Sequence, residues 1–159
     1  MFAGFMKQAE TLRLRKQLAR VGLFSDLKPR ELRIIDGLLH ERSYLAGEVI
    51  FDEGEEGQAL YIILEGRVLI CRQGDPEGGR IAELGAGDFF GDLALLGDAP
   101  RAAQARAAAA CRLAVFFRAD FMSLLETHAA IASRVSLRLA RQLGERLRGM
   151  NRKALGARI

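Results

Sequence analysis

The sequence predicts a mainly β domain flanked by α-helices, and two patterns in the chain support this fold class. Between about residues 42 and 117, short segments rich in β-forming residues alternate with turns that contain glycine. Short strands at intervals of about 8–15 residues are typical of an antiparallel sandwich or barrel and not of βαβ units. Before and after this region, apolar residues recur at three- and four-residue spacing, which indicates helices.

The first 20 residues predict an amphipathic helix that extends the domain. Its apolar residues recur at helical spacing: Phe2, Phe5, Met6, Ala9 and Leu12. A break at Gly22–Asp26 follows. Pro29 suits the first turn of a second helix because its missing N–H needs no partner there. Leu32 and Ile35 contribute to the apolar face of that helix.

Five segments of the central region predict β-strands: Glu48–Phe51, Ala59–Leu64, Arg67–Cys71, Arg80–Leu84 and Arg112–Phe117. The segment Gly74–Gly79, which contains three glycines and a proline, predicts a surface hairpin loop. The alanine-rich segment Ala102–Ala110 favours a helix by intrinsic propensity. Because this segment lies between two β-rich segments, we interpret it as a strand.

Helical spacing returns after Phe117. Ala119–Leu125 predicts a short helix, and a longer one follows with a stripe of apolar residues: Ile131, Val135, Leu139, Leu143, Leu147 and Met150. Successive steps of four residues drift by about 40° around an ideal helix, so the stripe winds. It could pack on the body at its start and on a second copy of the chain further along. We therefore divide the chain into a helical extension (1–20), a domain (21–150, with its β region at 42–117 and helices at 119–150) and a basic tail (151–159).

Composition excludes several classes of protein. The 159 residues carry a net charge of +4, and no apolar run approaches the ~18 residues needed to span a bilayer. The N-terminus shows no secretory signal pattern. Cys71 and Cys111 lack CxxC spacing, which indicates reduced thiols and a cytoplasmic location. We expect His40 on the helix before the strands and His128 between the C-terminal helices, so no histidine cluster supports a metal site, a catalytic triad or a cupin-like metalloenzyme. We expect neither catalysis nor a cofactor.

The charge is unevenly distributed along the chain. Residues 129–159 contain eight lysines and arginines and one acid, a net charge of +7 that leaves −3 for residues 1–128. A solvated helix face explains such a segment, and binding to a nucleic acid or an anionic membrane surface is the alternative. The segment has no aromatic residue to stack on bases, which argues against nucleic acid.

Residues 87–103 contain the candidate site. Gly91 allows a sharp turn, and Asp92–Leu96 predicts one turn of helix whose first N–H groups and dipole favour an anion. Arg101 could bind two oxygens of the same anion, and Asp92 could accept a hydrogen bond from a hydroxyl. These groups together describe a pocket for a phosphate attached to a sugar. The glycines of the segment do not match the dinucleotide-binding pattern GxGxxG.

Residues 90–103, F-G-D-L-A-L-L-G-D-A-P-R-A-A, closely resemble the phosphate-binding cassette of the cyclic nucleotide-binding domain family, F-G-E-L-A-L-x-x-x-x-P-R-A-A. We call residues 90–103 the cassette. Leu23–Leu32 resembles the family's N-terminal helical segment and Gly47–Val68 its glycine pattern, so the resemblance covers about residues 21–148. It implies an eight-stranded β-roll, of the double-stranded β-helix or jelly-roll type, with N-terminal helices and a long C-terminal helix.

The resemblance also implies roles for residues of the cassette. Arg101 would pair with the cyclic phosphate, and the backbone at Gly91, Leu93, Ala94 and Ala102 would complete the phosphate cradle. Asp92 stands where the family places a Glu that accepts a hydrogen bond from the ribose 2′-OH. Because Asp is one methylene shorter, its carboxylate falls about 1.5 Å short unless the backbone shifts. Loss of one charged hydrogen bond costs about 1.5–3 kcal/mol, or ten- to a hundredfold in affinity.

Positions outside the phosphate cradle bear on specificity. The family's cGMP-selective members tend to carry Thr where this chain has Ala102, so the resemblance implies cAMP. The amide of Gln104 could contact a base edge, and a solvated strand residue is the alternative. In the family the long C-terminal helix folds over the base as a lid, and we name four lid candidates: Val135, Arg138, Leu139 and Arg141.

We therefore expect a sensor domain that binds a cyclic nucleotide, cAMP or else cGMP, and signals to an effector protein through movement of its C-terminal helix. A homodimer through Val135–Leu147 is a further expectation. The alternatives are a degenerate domain that acts as an interaction scaffold without nucleotide, and a sensor of cyclic di-GMP. Nine residues follow Met150, too few for a DNA-binding helix-turn-helix, and the initial Met favours an intact small protein over a fragment.

Overall fold

Eight strands form two four-stranded antiparallel sheets, which confirms the predicted β-roll. The computed structural model describes residues 1–156. The strands are β1 (His40–Tyr44), β2 (Val49–Phe51), β3 (Ala59–Glu65), β4 (Arg67–Arg72), β5 (Asp75–Gly85), β6 (Phe89–Phe90), β7 (Gln104–Ala107) and β8 (Cys111–Phe117). The helices are α1 (Phe2–Ala19), α2 (Pro29–Asp36), α3 (Leu93–Leu96), α4 (Arg118–Thr127) and α5 (Ala129–Gly156), with a 3₁₀ turn at Gly22–Phe24. Sheet A has the order β1-β8-β3-β6, and sheet B has the order β2-β7-β4-β5.

Sheet A separates two apolar cores. Tyr61 and Ile63 of β3 point between the two sheets, whereas Leu60 and Ile62 point to the helices on the outer face. Successive side chains of a strand alternate between the faces of its sheet, so a strand buried on both faces is apolar throughout. This arrangement explains why Ala59–Leu64 is a continuous apolar run, and it places the helices on the outer face of the sheet whose strand β6 leads into the cassette.

The N-terminal helices pack on the outer core through fewer residues than their sequences suggest. Leu32 and Ile35 of α2 are buried, as predicted. In α1, Leu18 is buried and Leu14 is partly buried, whereas the predicted apolar series at Phe2, Phe5, Met6 and Leu12 is exposed. At 100° per residue, Leu14 and Leu18 lie on the side of the helix opposite that series, so only one of the two apolar faces of α1 contacts the body.

Helix α5 leaves the body part of the way along its length. Ile131, Val135 and Leu139 are buried in the outer core, whereas Leu147 and Met150 are exposed. The winding of the apolar stripe explains this change because the stripe rotates away from the body. The helix also continues past Met150 to Gly156, so the segment predicted as a tail is helical as far as residue 156, and the rest of it lies outside the described residues.

Two local predictions need correction, and a third is confirmed for part of its length. His40 lies in β1, opposite Val115, and not on a helix. The predicted loop Gly74–Gly79 is mostly strand, because β5 begins at Asp75 and pairs with Arg72 across a tight turn. The prediction of a strand within Ala102–Ala110 is correct for its middle part, where pairing with β2 and β4 on both sides outweighs the helical propensity of alanine.

Candidate functional site

A cavity of about 540 Å³ opens between the cassette, sheet B and helix α5. Phe89–Ala94 and Ala99–Ala103 form one wall. Ile70, Ala82 and Leu84 of strands β4 and β5 provide apolar surface opposite, and two polar side chains of α5, Gln142 and Arg146, complete the lining. The cavity therefore combines an apolar wall, a polar helix and the anion-binding features predicted from the sequence.

Arg101 is a buried cation at this cavity. Arg101 as a whole residue is only 9% exposed. One guanidinium nitrogen, Nη2, donates to the carbonyl of Ala59 at 2.8 Å, and Nη1 donates to the carbonyl of Gly91 at 3.3 Å. The guanidinium also lies 4.1 Å from the centroid of the Phe51 ring. Burial lowers the pKa of the guanidinium, but an arginine stays protonated in proteins. Within residues 1–156 no ion pair neutralises this charge, so the site is prepared for an anion.

Two glycines make room for Arg101. Gly91 has a φ of +71°, and a Cβ atom there would lie 2.5 Å from Nη1 of Arg101. A Cβ atom at Gly57 would lie 2.8 Å from Cβ of Ala94 and 3.1 Å from Nε of Arg101. Real Cβ atoms essentially never approach another heavy atom within 3.0 Å. The guanidinium and α3 can therefore adopt these positions only because both residues lack a side chain.

The first N–H groups of α3 lie beside Arg101. The N–H of Ala94 donates to the carbonyl of Gly91 at 3.2 Å, and that of Leu95 donates to the carbonyl of Asp92 at 3.1 Å. Helical geometry leaves the preceding N–H groups, those of Asp92 and Leu93, without an acceptor inside the turn. Two backbone N–H groups were expected in the phosphate cradle. That of Leu93 is thus available to bind an anion, whereas that of Ala94 already donates to the carbonyl of Gly91.

Asp92 contacts the C-terminal helix. Its residue is 5% exposed, and its Oδ2 lies 3.4 Å from Nη1 of Arg146. The carboxylate expected to bind a ribose hydroxyl therefore already binds a cation from α5. This contact joins the cassette to a residue 54 positions further along the chain, and it explains how α5 closes one side of the cavity.

The predicted lid residues do not line the cavity. Val135 and Leu139 are buried in the outer core, and Arg138 forms an ion pair with Asp26, with Nε 2.7 Å from Oδ2. Arg141 is absent from the lining. The prediction followed the apolar stripe, which anchors the helix, whereas the cavity is lined by the polar stripe beside it.

The residues that sequence reasoning missed on α5 are Gln142 and Arg146. They continue a series at four-residue spacing, Arg134, Arg138, Gln142 and Arg146, and residues four apart share a helix face. The first two members bind Glu31 and Asp26, and the last two face the cavity. The four-residue spacing indicates that these polar residues share one face of α5. It does not indicate which of them face a cavity and which face acidic side chains.

Gln104 also points away from the cavity. Its Nε2 donates to Oδ1 of Asp52 at 2.6 Å, and its Oε1 accepts from the thiol of Cys71 at 3.6 Å. The residue is buried, and its amide is engaged on both sides. The proposed contact with a base edge is therefore not available to Gln104 in this arrangement.

Other kinds of site find no support in the described residues. Among residues 1–156, no group of three or more His, Cys, Asp or Glu side chains could hold a metal ion. His40 packs against the ring of Phe117, with centroids 5.4 Å apart. None of the helices described is long and apolar enough to cross a membrane.

Comparisons with known proteins identify relatives. Residues 41–128 match the family model described as cyclic nucleotide-binding domain. The chain is 35% identical over 126 residues to a cyclic AMP receptor protein of Thermus thermophilus, covering 77% of this chain and 57% of the relative. It is 39% identical over 108 residues to a cAMP-dependent protein kinase regulatory subunit of Emericella nidulans, covering 68% of this chain and 26% of that protein.

A solved structure extends the likeness to the whole fold. The cyclic nucleotide-binding domain from Methylobacillus flagellatus superposes with a TM-score of 0.76 at 24% identity, covering 94% of this chain and 84% of that one. The chain thus spans most of the length of a domain structure but little more than half, or less, of the two curated relatives it matches.

Proposed function

Because the chain belongs to the cyclic nucleotide-binding domain family, we propose that its cavity binds cAMP and that binding moves helix α5 to signal to an effector protein. The observation that carries the proposal is Arg101, a buried cation at a cavity of about 540 Å³ whose hydrogen-bond acceptors, within residues 1–156, are two backbone carbonyls. Two relatives are named for cyclic AMP, the receptor protein and the kinase regulatory subunit.

The phosphate is the group that Arg101 would bind. A guanidinium has five N–H donors, and carbonyls use two of them here, so further donors remain for phosphate oxygens. The N–H of Leu93 at the start of α3 adds a neutral donor beside them. Charge-assisted bonds of this kind are about twice as strong as bonds between neutral groups. A phosphate would also neutralise the buried charge of Arg101, which forms no ion pair with the described residues.

The ribose would meet Asp92 together with Arg146. An ionised carboxylate offers about four lone-pair positions, so it can accept from a hydroxyl while it remains near an arginine. A ribose hydroxyl near Oδ2 would compete with the contact to Arg146, which is 3.4 Å long and partly exposed. We propose that ligand binding rearranges this contact.

The adenine would lie between the apolar wall of sheet B and the polar residues of α5. Ile70 and Leu84 offer apolar contact, and the amide of Gln142 can both donate and accept hydrogen bonds. Ala102 provides no hydroxyl for a guanine. These features favour cAMP over cGMP, which remains the second candidate together with cyclic di-GMP.

The response would pass along α5, and among the described residues three ion pairs connect this helix to the body. Arg134 binds Glu31 and Arg138 binds Asp26 near the start of the helix, whereas the Arg146 contact lies at the cavity. A change at Arg146 would therefore release the far part of α5 and leave its first turns anchored.

An effector protein or a second copy of the chain would bind the C-terminal part of α5, where Leu147 and Met150 are exposed. The predicted dimer surface at Val135–Leu147 needs correction at its start, because Val135 and Leu139 are buried in the outer core and cannot contact a partner. The absence of enzyme activity and the cytoplasmic location stay predictions.

A titration tests the binding proposal. Isothermal titration calorimetry with cAMP, cGMP and cyclic di-GMP is carried out on the native chain, on Arg101→Ala and on Arg112→Ala. Arg112 is the control because it is a partly buried arginine that binds Glu41 and Glu65 outside the cavity. We expect cAMP to bind the native chain and the control, and Arg101→Ala to lose binding.

A thermal-shift titration provides a second readout. Ligand at about 100 times its Kd adds about 2.7 kcal/mol of stability, which corresponds to about 5–10 °C for a chain of this size. Binding by Arg101→Ala with native affinity would contradict the assignment of the site. The absence of any shift up to millimolar nucleotide would favour the scaffold alternative.

A further inference from the structure

Arg118, the first residue of α4, lies behind the cassette and binds three segments at once. Its Nη1 lies 3.0 Å from the carbonyl oxygen of Gly57, 3.0 Å from that of Ala94 and 2.8 Å from that of Gly97, so its two N–H groups are shared among three acceptors. Its Nη2 lies 2.6 Å from Oδ1 of Asp98.

Two of the three carbonyl acceptors of Arg118 are groups that the end of a helix leaves unsatisfied. Ala94 lies in α3 and Gly97 directly follows it, so their carbonyls have no N–H partner further along the helix. The positive guanidinium satisfies them and opposes the negative end of this turn. Arg118 therefore determines where the C-terminal end of α3 lies with respect to the first residue of α4.

Two arginines thus hold the cassette from opposite ends. Arg101 binds the carbonyl of Gly91 before α3, on the side of the cavity, and Arg118 binds the carbonyls at the end of α3, on the side of the helices. The backbone N–H of Arg118 also donates to the carbonyl of Gln58 at 2.8 Å. A ligand that engages Arg101 and α3 therefore acts on a segment that is bonded directly to the start of α4.

We infer that Arg118 is the positioning residue that transmits a ligand-driven displacement of the cassette to α4 and α5. The inference rests on the proposed function. Arg118 itself does not line the cavity, so it acts through the carbonyls of α3 and not on the nucleotide. Its bonds require α4 to follow α3, and α5 follows α4 after the single residue His128.

The carbonyl contacts of Arg118 and its ion pair with Asp98 should contribute unequally to the coupling between the cassette and α4. Asp98 is 81% exposed at its side chain, and exposed ion pairs contribute little. The three carbonyls share the two N–H groups of Nη1, and a lysine ammonium offers three N–H donors on one nitrogen. Arg118→Lys should therefore retain part of the coupling, Asp98→Asn should retain nearly all of it, and Arg118→Met should remove it.

The test separates binding from response. Each variant is titrated with cAMP by calorimetry, and hydrogen–deuterium exchange is then measured without ligand and at about 100 times the Kd measured for that variant. Arg112→Met is the matched control, because the side chains of Arg112 and Arg118 are 23% and 21% exposed and both form several bonds. The peptides compared come from α3, α4 and α5.

We expect Arg118→Met to bind cAMP with less than a tenfold change in Kd and to show the native ligand-induced change in α3. The ligand-induced change in α4 and α5 should fall to within error of zero, Arg118→Lys should restore at least half of it, and Arg112→Met should retain it. A residue with a merely structural role would lower stability but leave the response of α5 intact once the site is saturated.

Three results would overturn the inference. The first is a native response of α5 in saturated Arg118→Met, and the second is an equal loss of that response in Arg112→Met. The third is a complete loss in Asp98→Asn, which would assign the coupling to the ion pair. If Arg118→Met does not fold, Arg118→Gln takes its place with the same expectations. Failure of the native chain to bind any cyclic nucleotide would instead refute the proposed function.

Discussion

Substitution of Gly91 by alanine tests how Arg101 is held at the cavity. Gly91 has a φ of +71°, and an added Cβ would lie 2.5 Å from Nη1 of Arg101. An ordinary contact between such atoms begins at about 3.5 Å, so the guanidinium must move by about 1 Å. That movement breaks its bond to the carbonyl of Gly91 and misaligns the cation with a phosphate.

The chain offers a matched control at Gly74. This residue has a φ of +77°, but a Cβ there would meet nothing within 4 Å. Each alanine therefore brings the left-handed backbone cost of about 1–2 kcal/mol, and only Gly91→Ala adds the collision with Arg101. We expect similar losses of unfolding free energy from the backbone in both variants. We expect a ten- to a hundredfold weaker cAMP affinity in Gly91→Ala alone, the effect of one charged hydrogen bond of about 1.5–3 kcal/mol.

Urea denaturation and calorimetric titration measure the two quantities separately. The decisive comparison is the ratio of the cAMP Kd values of Gly91→Ala and Gly74→Ala, because the shared backbone cost cancels. Equal affinities in the two variants would refute the reasoning, since the position of the Arg101 guanidinium would then not limit binding. Weak binding in both would indicate that general destabilisation, and not the collision, controls affinity.

Three further predictions concern α5, pH and the thiols. Arg146→Met should speed amide exchange in α5 beyond residue 142 in the ligand-free protein and leave residues 129–139 protected, and uniform exchange along the helix would contradict the cavity contact as its far anchor. The backbone N–H of Lys28 and the Arg134 guanidinium hold the pKa of Glu31 below its ordinary 4.5. The ionised carboxylate therefore stabilises the fold above pH 4.5, and this contribution is lost as the pH falls through the lower pKa of the folded state. In Glu31→Gln the unfolding free energy should fall less steeply with decreasing pH on the acid side, and an unchanged slope would contradict this. Burial raises the pKa of both thiols, Cys71 and Cys111, so a thiol-specific reagent at pH 8 should label them at the rate of unfolding, whereas labelling within the mixing time would show that they are exposed.

The cassette illustrates how far local sequence leads. Gly91, Asp92 and Arg101 were identified from residue type and spacing, and the structure places all three at one cavity. Such identification is possible because the turn, the helix start and the arginine lie within 14 consecutive residues, where backbone geometry limits their separation. The same locality explains why the strands β3, β4 and β8 were located to within one or two residues.

Contacts between segments far apart in the chain could not be predicted, because local sequence does not specify which distant residues meet. Arg146 meets Asp92 across 54 residues, and Arg118 binds carbonyls 21 to 61 residues earlier in the chain. An arginine on a helix looks the same in sequence whether it faces solvent, an acid or a cavity. The prediction therefore chose the apolar stripe of α5 for the lid, although the stripe that meets the cavity is the polar one.

Apolar period and turn residues are local properties, so they sufficed to predict an antiparallel β domain with flanking helices, and the resemblance of the cassette implied the β-roll and the anion-binding segment. The side chains that complete the site could be identified only from the three-dimensional packing. The rotation of α5 about its axis is set by the packing of Ile131, Val135 and Leu139 in the outer core, and that packing directs Gln142 and Arg146 to the cavity. Helix rotation depends on the surface against which the helix packs, and this surface is built from strands far away in the chain.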